Sequence, residues 1–156
     1  MTNILIMLAL LTVPYLLLRL SAAAGFGPFD SRAAAAWGAG ILFVFTGTGH
    51  FIQTEQFTWM LPEWVPQRTL LVYTTGVLEF AIAAGFFFAR TRRLAAFAAI
   101  TVLIAFFPAN IYAAMMRIPM SGNAWGPVYL LVRAPLQVFI VVWIYRLIVK
   151  GRETPL

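Results

Sequence analysis

The chain has 156 residues, of which 62% are hydrophobic and only 10% are charged, and its mean hydropathy is +0.88. Soluble domains carry about 25% charged residues, so this composition excludes an ordinary water-soluble protein and indicates a single domain in a lipid bilayer. The absence of cysteine excludes thiol–disulfide chemistry and iron–sulfur ligation. The formal net charge of +6 does not indicate nucleic acid as a partner, because the basic residues cluster at the ends of apolar segments.

Five stretches have the roughly 20 mainly apolar residues that a membrane-spanning helix needs. They cover about residues 3–23, 33–53, 69–89, 94–115 and 128–149. Backbone polar groups must pair within each spanning segment, so the sequence predicts an all-α polytopic membrane bundle in one domain, residues 1–156. The first stretch ends in alanines that resemble a signal-peptidase site. We favour a retained helix over a cleaved one, because no Lys or Arg precedes the stretch and Arg19 lies at its far end.

The basic residues are distributed unevenly between the two sides of the predicted bundle. Arg68 and Arg117 fall on one side, and Arg133 lies within the last stretch. The other side receives Arg19, Arg32, Arg90, Arg92, Arg93, Arg146, Lys150 and Arg152. The positive-inside rule therefore predicts an N-terminus outside the cell and a C-terminus in the cytoplasm.

Two loops on the predicted outer side are rich in tryptophan and proline. The loop between the second and third stretches contains Trp59 and Trp64, and the loop before the last stretch contains Trp125. Tryptophan prefers the headgroup level of a membrane, so we interpret these residues as interfacial anchors. The alternative interpretation is a lid over the bundle, formed by the same three tryptophans.

Glu79 stands alone in the middle of the third stretch. A carboxylate near the centre of a membrane helix costs roughly 2.5 to 3.5 kcal/mol, so a partner or a function is expected. Counting about 1.5 Å per residue from the outer helix ends places Glu79 about 15 Å deep and Gln137 about 13 Å deep. On the same scale Asn110 and Arg133 lie about 8 Å deep and His50 about 5 Å deep. The sequence therefore predicts an outward-facing polar pocket with side chains from four helices.

Within this pocket we expect Arg133 to pair with Glu79, and Gln137 to bond a remaining carboxylate oxygen. A pair that binds nothing further would be purely structural. His50 either bonds a backbone carbonyl or moves protons, as imidazole can near neutral pH. No metal site is expected, because only His50 and Glu79 are good ligands here, and the single histidine excludes haem held by two histidines.

Five segments form an ordered set along the chain: GTGHFIQTEQFTWMLPEWVP, GVLEF, ARTRRLAAFAAI, FPANIYAAM and RAPLQVFIVVWIY. Together, over about residues 35–146, they resemble the DoxX/DoxD-like family of small bacterial integral membrane proteins. The resemblance implies a four-helix core in the bacterial inner membrane, with the first helix as an addition. Some members resemble a small subunit of thiosulfate:quinone oxidoreductase, and others are associated with membrane redox or oxidative-stress systems. The quoted segments contain His50, Glu79, Asn110 and Arg133.

The predicted pocket and the family resemblance together lead to a first hypothesis. The protein would be an accessory component of a membrane redox or quinone-linked system. Its pocket would take a quinone-like or other small lipophilic ligand, with Glu79 and His50 carrying protons and Arg133 and Asn110 holding a carbonyl oxygen. The partners would be membrane lipids and a membrane or periplasmic redox protein that supplies electrons. The sequence leaves open whether the protein forms a homo-oligomer.

The second hypothesis is a non-enzymatic membrane assembly or interaction protein whose buried Glu79–Arg133 pair is structural. A transporter is disfavoured, because the inner half of the predicted bundle offers no polar path and five spans are few for an inverted repeat. Whether the protein is itself an enzyme is not decided by the sequence.

Overall fold

In the computed structural model, which describes residues 2–120 and 122–151, 81% of these residues are helical and none of them lies in a strand. The helices are joined by short connections. Of the three tryptophans predicted in loops, Trp64 lies in a connection, whereas Trp59 and Trp125 lie in helical segments. Arg152, one of the basic residues used to predict the orientation, lies outside the described ranges.

Five of the helical segments are long and apolar enough to cross a membrane, which confirms the number of predicted spans. The last one differs most from its prediction, because it begins at Asn123 and not near residue 128. It consists of a 3-10 segment (Asn123–Tyr129), helix α6 and a π-helical segment (Ile144–Val149). The α-helices are α1 (Thr2–Ala23), α2 (Ser31–Ile52), the short α3 (Thr54–Trp59), α4 (Arg68–Phe87), α5 (Arg92–Met115) and α6 (Leu130–Trp143).

The connection from α1 to α2 shows how local chemistry sets a helix boundary. Gly25 and Gly27 have φ values of 85° and 129°, a region that suits glycine, and they reverse the chain. The Oδ1 atom of Asp30 then accepts hydrogen bonds from the backbone N–H groups of Arg32 (2.9 Å) and Ala33 (3.0 Å). Asp30 is therefore the N-cap of α2, since it satisfies donors that have no partner inside the helix.

The long helices pack in an order that leaves the bundle closed at one end and open at the other. Helix α4 packs between α2 and α5, and α1 packs along α2. The π-helical segment packs against both α2 and α5, where Phe86, Ile144 and Ile148 are fully buried. Helix α6 itself packs against α5 but is not among the close neighbours of α2 or α4. The space between these helices widens toward the end that carries the two tryptophan-rich loops.

Large apolar side chains cover the outer surface of the spans. Val77 on α4 is 59% exposed and Leu131 on α6 is 76% exposed. A water-soluble protein would bury such residues, whereas lipid tails solvate them. This surface and the five apolar helices are consistent with a membrane protein.

Candidate functional site

A cavity of about 490 Å³ occupies the open end of the bundle. It is lined by the N-terminal part of α1, the C-terminal half of α2, the N-terminal half of α4, the C-terminal half of α5 and the first turns of the last span. Successive spans run in opposite directions, so these parts all lie at the same end of the bundle. The five polar residues singled out in the sequence all line this cavity: His50, Glu79, Asn110, Arg133 and Gln137.

His50 and Glu79 form the closest ionisable pair of the cavity. The Nε2 atom of His50 lies 3.6 Å from Oε1 of Glu79, and each residue is only 5% exposed. The second carboxylate oxygen of Glu79, Oε2, is buried and has no hydrogen-bond partner within the described part of the chain. The carboxyl group therefore offers one oxygen to the histidine and keeps the other unsatisfied.

The opposite ring nitrogen of His50, Nδ1, is held by α4. It lies 3.1 Å from the carbonyl oxygen of Val72 and 3.1 Å from Oγ1 of Thr75. A carbonyl only accepts, so the contact with Val72 requires a hydrogen on Nδ1 of His50. The Thr75 hydroxyl can then accept from Nδ1, because its own hydrogen can go to the carbonyl of Leu71 or Val72, each at 2.9 Å.

This tautomer leaves Nε2 as the ring nitrogen that faces Glu79. With Nδ1 protonated, Nε2 of neutral His50 is an acceptor, and it faces an oxygen of Glu79. A hydrogen bond between the two groups would need a proton on Nε2 or on the Glu79 carboxyl group.

Glycine allows α2 and α4 to approach closely at this pair. A Cβ atom at Gly76 would lie 2.8 Å from Cβ of His50 and 2.7 Å from the ring of Phe51, closer than real Cβ contacts. A Cβ atom at Gly47 would lie 3.3 Å from Cβ of Glu79. The small residues thus bring the imidazole and the carboxyl group together.

The predicted ion pair between Glu79 and Arg133 is wrong. Arg133 instead donates from Nη2 to Oδ1 of Asn110 at 3.1 Å, and no carboxylate oxygen lies within 4.0 Å of its guanidinium among residues 2–120 and 122–151. The physical reason is the position of the helices: Glu79 is on α4 and Arg133 on α6, and these two helices line the cavity without packing closely on each other.

The predicted partner of Gln137 is also wrong. Its Nε2 atom donates to the backbone carbonyl of Leu103 on α5 at 2.8 Å and not to Glu79. Asn110 has two partners in the protein: Nδ2 donates to the carbonyl of Phe106 at 3.1 Å, and Oδ1 accepts from Arg133. Both residues tie α5 and α6 together, and Asn110 orients Arg133.

The three tryptophans proposed as lid residues do not line the cavity within the described structure. Trp59 is 41% exposed, Trp125 is 63% exposed and Trp64 is 82% exposed. Their outward positions match the first interpretation, in which they anchor the protein at a membrane interface.

A different part of the same loop covers the cavity. Phe57 on α3, followed by Met60 and Leu61, contributes to the lining. The Phe57 ring stacks on the imidazole of His50 with a centroid distance of 4.2 Å and an interplanar angle of 22°. The apolar side chains of the loop therefore face inward and the tryptophans face outward.

Sequence reasoning missed two residues that hold the histidine, Thr75 and Phe57. Thr75 lies four residues before Glu79, so helical spacing alone placed it on the same face. No comparable signal identified Phe57, because its contact with His50 depends on how α3 folds back over α2.

Within the described residues, no three His, Asp or Glu side chains come together as a metal-binding group.

The described part of the chain is therefore an all-helical bundle in which five helices are long and apolar enough to span a membrane. A cavity lined in part by polar side chains lies at one end of this bundle. The chain belongs to the family described as Domain of unknown function (DUF8561), whose model matches residues 18–148. Comparison with curated proteins and with solved structures gives no match.

Proposed function

We propose that this protein binds a small lipophilic ligand with a polar head, as an accessory component of a membrane redox or quinone-linked system. The observation that supports the proposal is the convergence of His50, Glu79 and Arg133 on a cavity whose remaining lining is mostly apolar. A volume of about 490 Å³ lies within the range of ordinary small-molecule sites.

The chemistry of the lining suits a quinone-like ligand. The guanidinium of Arg133 has five N–H donors, and its one hydrogen bond to the described residues goes to Asn110, so it can also donate to a ligand carbonyl oxygen. Across the cavity, the His50–Glu79 pair can give a proton to a ligand oxygen or take one from it. A quinone would supply the electron-accepting chemistry when bound, and the electrons would come from a redox partner in the membrane or periplasm.

We also propose that the protein is related to the DoxX/DoxD-like family. Helices α2, α4, α5 and α6 would form the four-helix core of that family, and α1 would be the addition. We further propose an inner-membrane location with the cavity facing outward. The basic side chains of Arg19, Arg93 and Lys150 lie at the opposite end of the bundle, which supports a cytoplasmic position for that end.

The alternative of a non-enzymatic assembly protein has less support. Its premise was a structural ion pair between Glu79 and Arg133, and these two residues are not paired. A cavity lined by an unsatisfied carboxyl oxygen and a guanidinium is not needed for packing alone. Cross-linking in native membranes would favour the alternative if it recovered one stoichiometric protein partner while quinone binding was absent.

Binding of a short-chain ubiquinone analogue to the protein in nanodiscs tests the proposal. We expect saturable binding that weakens separately in Glu79→Gln and in Arg133→Met. Loss of a charged hydrogen-bond donor costs about 1.5 to 3 kcal/mol, so the Kd should rise roughly ten- to hundredfold in Arg133→Met.

Matched controls lie on the exposed loops. Glu63→Gln and Arg117→Met change the same side chains at exposed positions that do not line the cavity. Affinity should not change in these two variants. Equal binding by the wild type and both cavity variants would rule out the proposed site.

A further inference from the structure

The ligand class can be narrowed from the charges of the cavity. Within the described residues, the charged side chains of the lining are Arg133, Glu79 and, when it takes up a proton, His50. His50 and Glu79 face each other, with Nε2 of the imidazole 3.6 Å from Oε1 of the carboxyl group. Within the described residues Arg133 forms no ion pair with Glu79, so its guanidinium is a separate cationic group of the lining that a ligand can meet.

The immediate surroundings do not compensate the guanidinium. No carboxylate oxygen lies within 4.0 Å of Arg133 among residues 2–120 and 122–151, and its bonded neighbour, Asn110, is neutral. A cation in a largely apolar site without a counterion is unfavourable, so a group of opposite charge should be preferred there. Arginine also binds carboxylates with two parallel hydrogen bonds, which a neutral head cannot match.

Asn110 holds the guanidinium in place for such a ligand. Its Nδ2 atom is anchored to the carbonyl of Phe106, and its Oδ1 atom takes one N–H of Arg133. The other donors of Arg133 remain for a ligand that occupies the cavity. The apolar part of the lining, which includes Leu42, Phe43 and Ile140, suits a hydrocarbon chain.

We infer that the ligand is an amphiphile with an anionic head bound by Arg133, in the manner of a single-chain carboxylic acid. This inference rests on the proposed function, since it concerns the same cavity for a lipophilic ligand, and it specifies an anionic head in place of the neutral head of a quinone. An acidic phospholipid has the same head chemistry and is the second possible source of the anion.

The test compares three probes with the same twelve-carbon chain: laurate, dodecanol and dodecyltrimethylammonium. Equilibrium binding is measured with the protein in phosphatidylcholine nanodiscs, and binding to empty nanodiscs is subtracted. We expect laurate to bind at least about tenfold more tightly than either other probe. This preference should disappear in Arg133→Met and persist in the loop control Arg117→Met.

A second variant distinguishes the loss of ligand recognition from a folding defect in Arg133→Met. Arg133→Lys keeps the charge and loses the two-pronged geometry, so it should retain part of the preference for laurate. Circular dichroism and thermal unfolding of each variant show whether the bundle is intact. Loss of the preference in a folded Arg133→Met protein, with partial retention in Arg133→Lys, supports the inference.

The lipid composition of the nanodiscs separates the two sources of the anion. If phosphatidylglycerol added to the nanodiscs competes with laurate, acidic phospholipid heads can occupy the site. If it does not compete, the free carboxylic acid is the favoured ligand. Both results support an anionic head.

Two other outcomes would overturn the inference. Binding of dodecanol as tightly as laurate would show that the head charge is not recognised, while a site for lipophilic ligands would stand. Absence of saturable binding by all three probes and by the ubiquinone analogue would overturn the inference and the proposed function together.

Discussion

His50 has a structural partner at each ring nitrogen: Nδ1 is 3.1 Å from the carbonyl oxygen of Val72, and Nε2 is 3.6 Å from Oε1 of Glu79. The first contact needs a hydrogen on Nδ1. The second brings the other ring nitrogen next to the carboxyl group. The geometry of α4 thus sets the surroundings of both ring nitrogens, because Val72, Thr75 and Glu79 are all on that helix.

The tautomer of His50 can be measured directly, since it is the single histidine of the chain. Solid-state NMR of protein with ¹⁵N-labelled histidine in lipid should show Nδ1 protonated. In Thr75→Val the hydroxyl is lost, but the Val72 carbonyl remains and should keep the hydrogen on Nδ1. A spectrum with bare Nδ1 and protonated Nε2 in the wild type would contradict donation from Nδ1 to the Val72 carbonyl.

Gly76→Ala should separate α2 from α4 at the His50–Glu79 pair. The new Cβ would lie 2.7 Å from the Phe51 ring and 2.8 Å from Cβ of His50, so the helices must move. Overpacking of this kind typically costs about 1 to 3 kcal/mol. Unfolding in detergent should report this loss, and saturable ligand binding should weaken.

Gly49→Ala is the matched control for that substitution. Its Cβ would meet the Phe57 ring at 3.5 Å, an ordinary contact, and alanine is the better helix former. Unfolding of this variant should show stability unchanged or raised by up to about 1 kcal/mol. Equal losses in both variants would mean that the close approach at Gly76 has no special role.

Asn110→Asp should place a carboxylate beside Arg133, because Oδ1 of the native residue already lies 3.1 Å from Nη2. The new carboxylate would pair with Arg133 and compete with an anionic ligand. Laurate affinity should fall at least about tenfold while the protein stays folded. Asn110→Leu is the comparison, since it removes the acceptor without adding charge and should cost less laurate affinity. A smaller loss in the aspartate variant than in the leucine variant would contradict the charge argument.

Phe57→Ala should open the cavity above His50. The Phe57 ring stacks on the imidazole at 4.2 Å and contributes to the lining, so its removal exposes the histidine. Modification of His50 by diethyl pyrocarbonate, followed by mass spectrometry of the peptide, should become several-fold faster. Trp64→Ala, at a residue that is 82% exposed and outside the lining, should leave the rate unchanged. Similar rates in the wild type and Phe57→Ala would mean that α3 is not the cover of the site.

The sequence alone identified most of the polar residues of the candidate site. Polar side chains within apolar helices are unfavourable unless they meet one another or a cavity, and this rule selected His50, Glu79, Asn110, Arg133 and Gln137. Helical spacing puts Thr75 on the same face as Glu79, but sequence reasoning did not select it. The pairing between helices was predicted incorrectly, because charge alone favoured Glu79 with Arg133 while the bundle places them on helices that do not pack closely.

The sequence by itself determined the all-helical, apolar character of the protein, the number of spans and the polar residues that lie inside them. These properties depend on about 20 consecutive residues at a time, so they can be read without knowing the neighbours. Only the tertiary structure decided that Glu79 faces His50, that Arg133 bonds Asn110, and that Phe57 covers the cavity in place of the tryptophans. Those contacts depend on the order and rotation of helices around the bundle, which close contacts such as that at Gly76 establish.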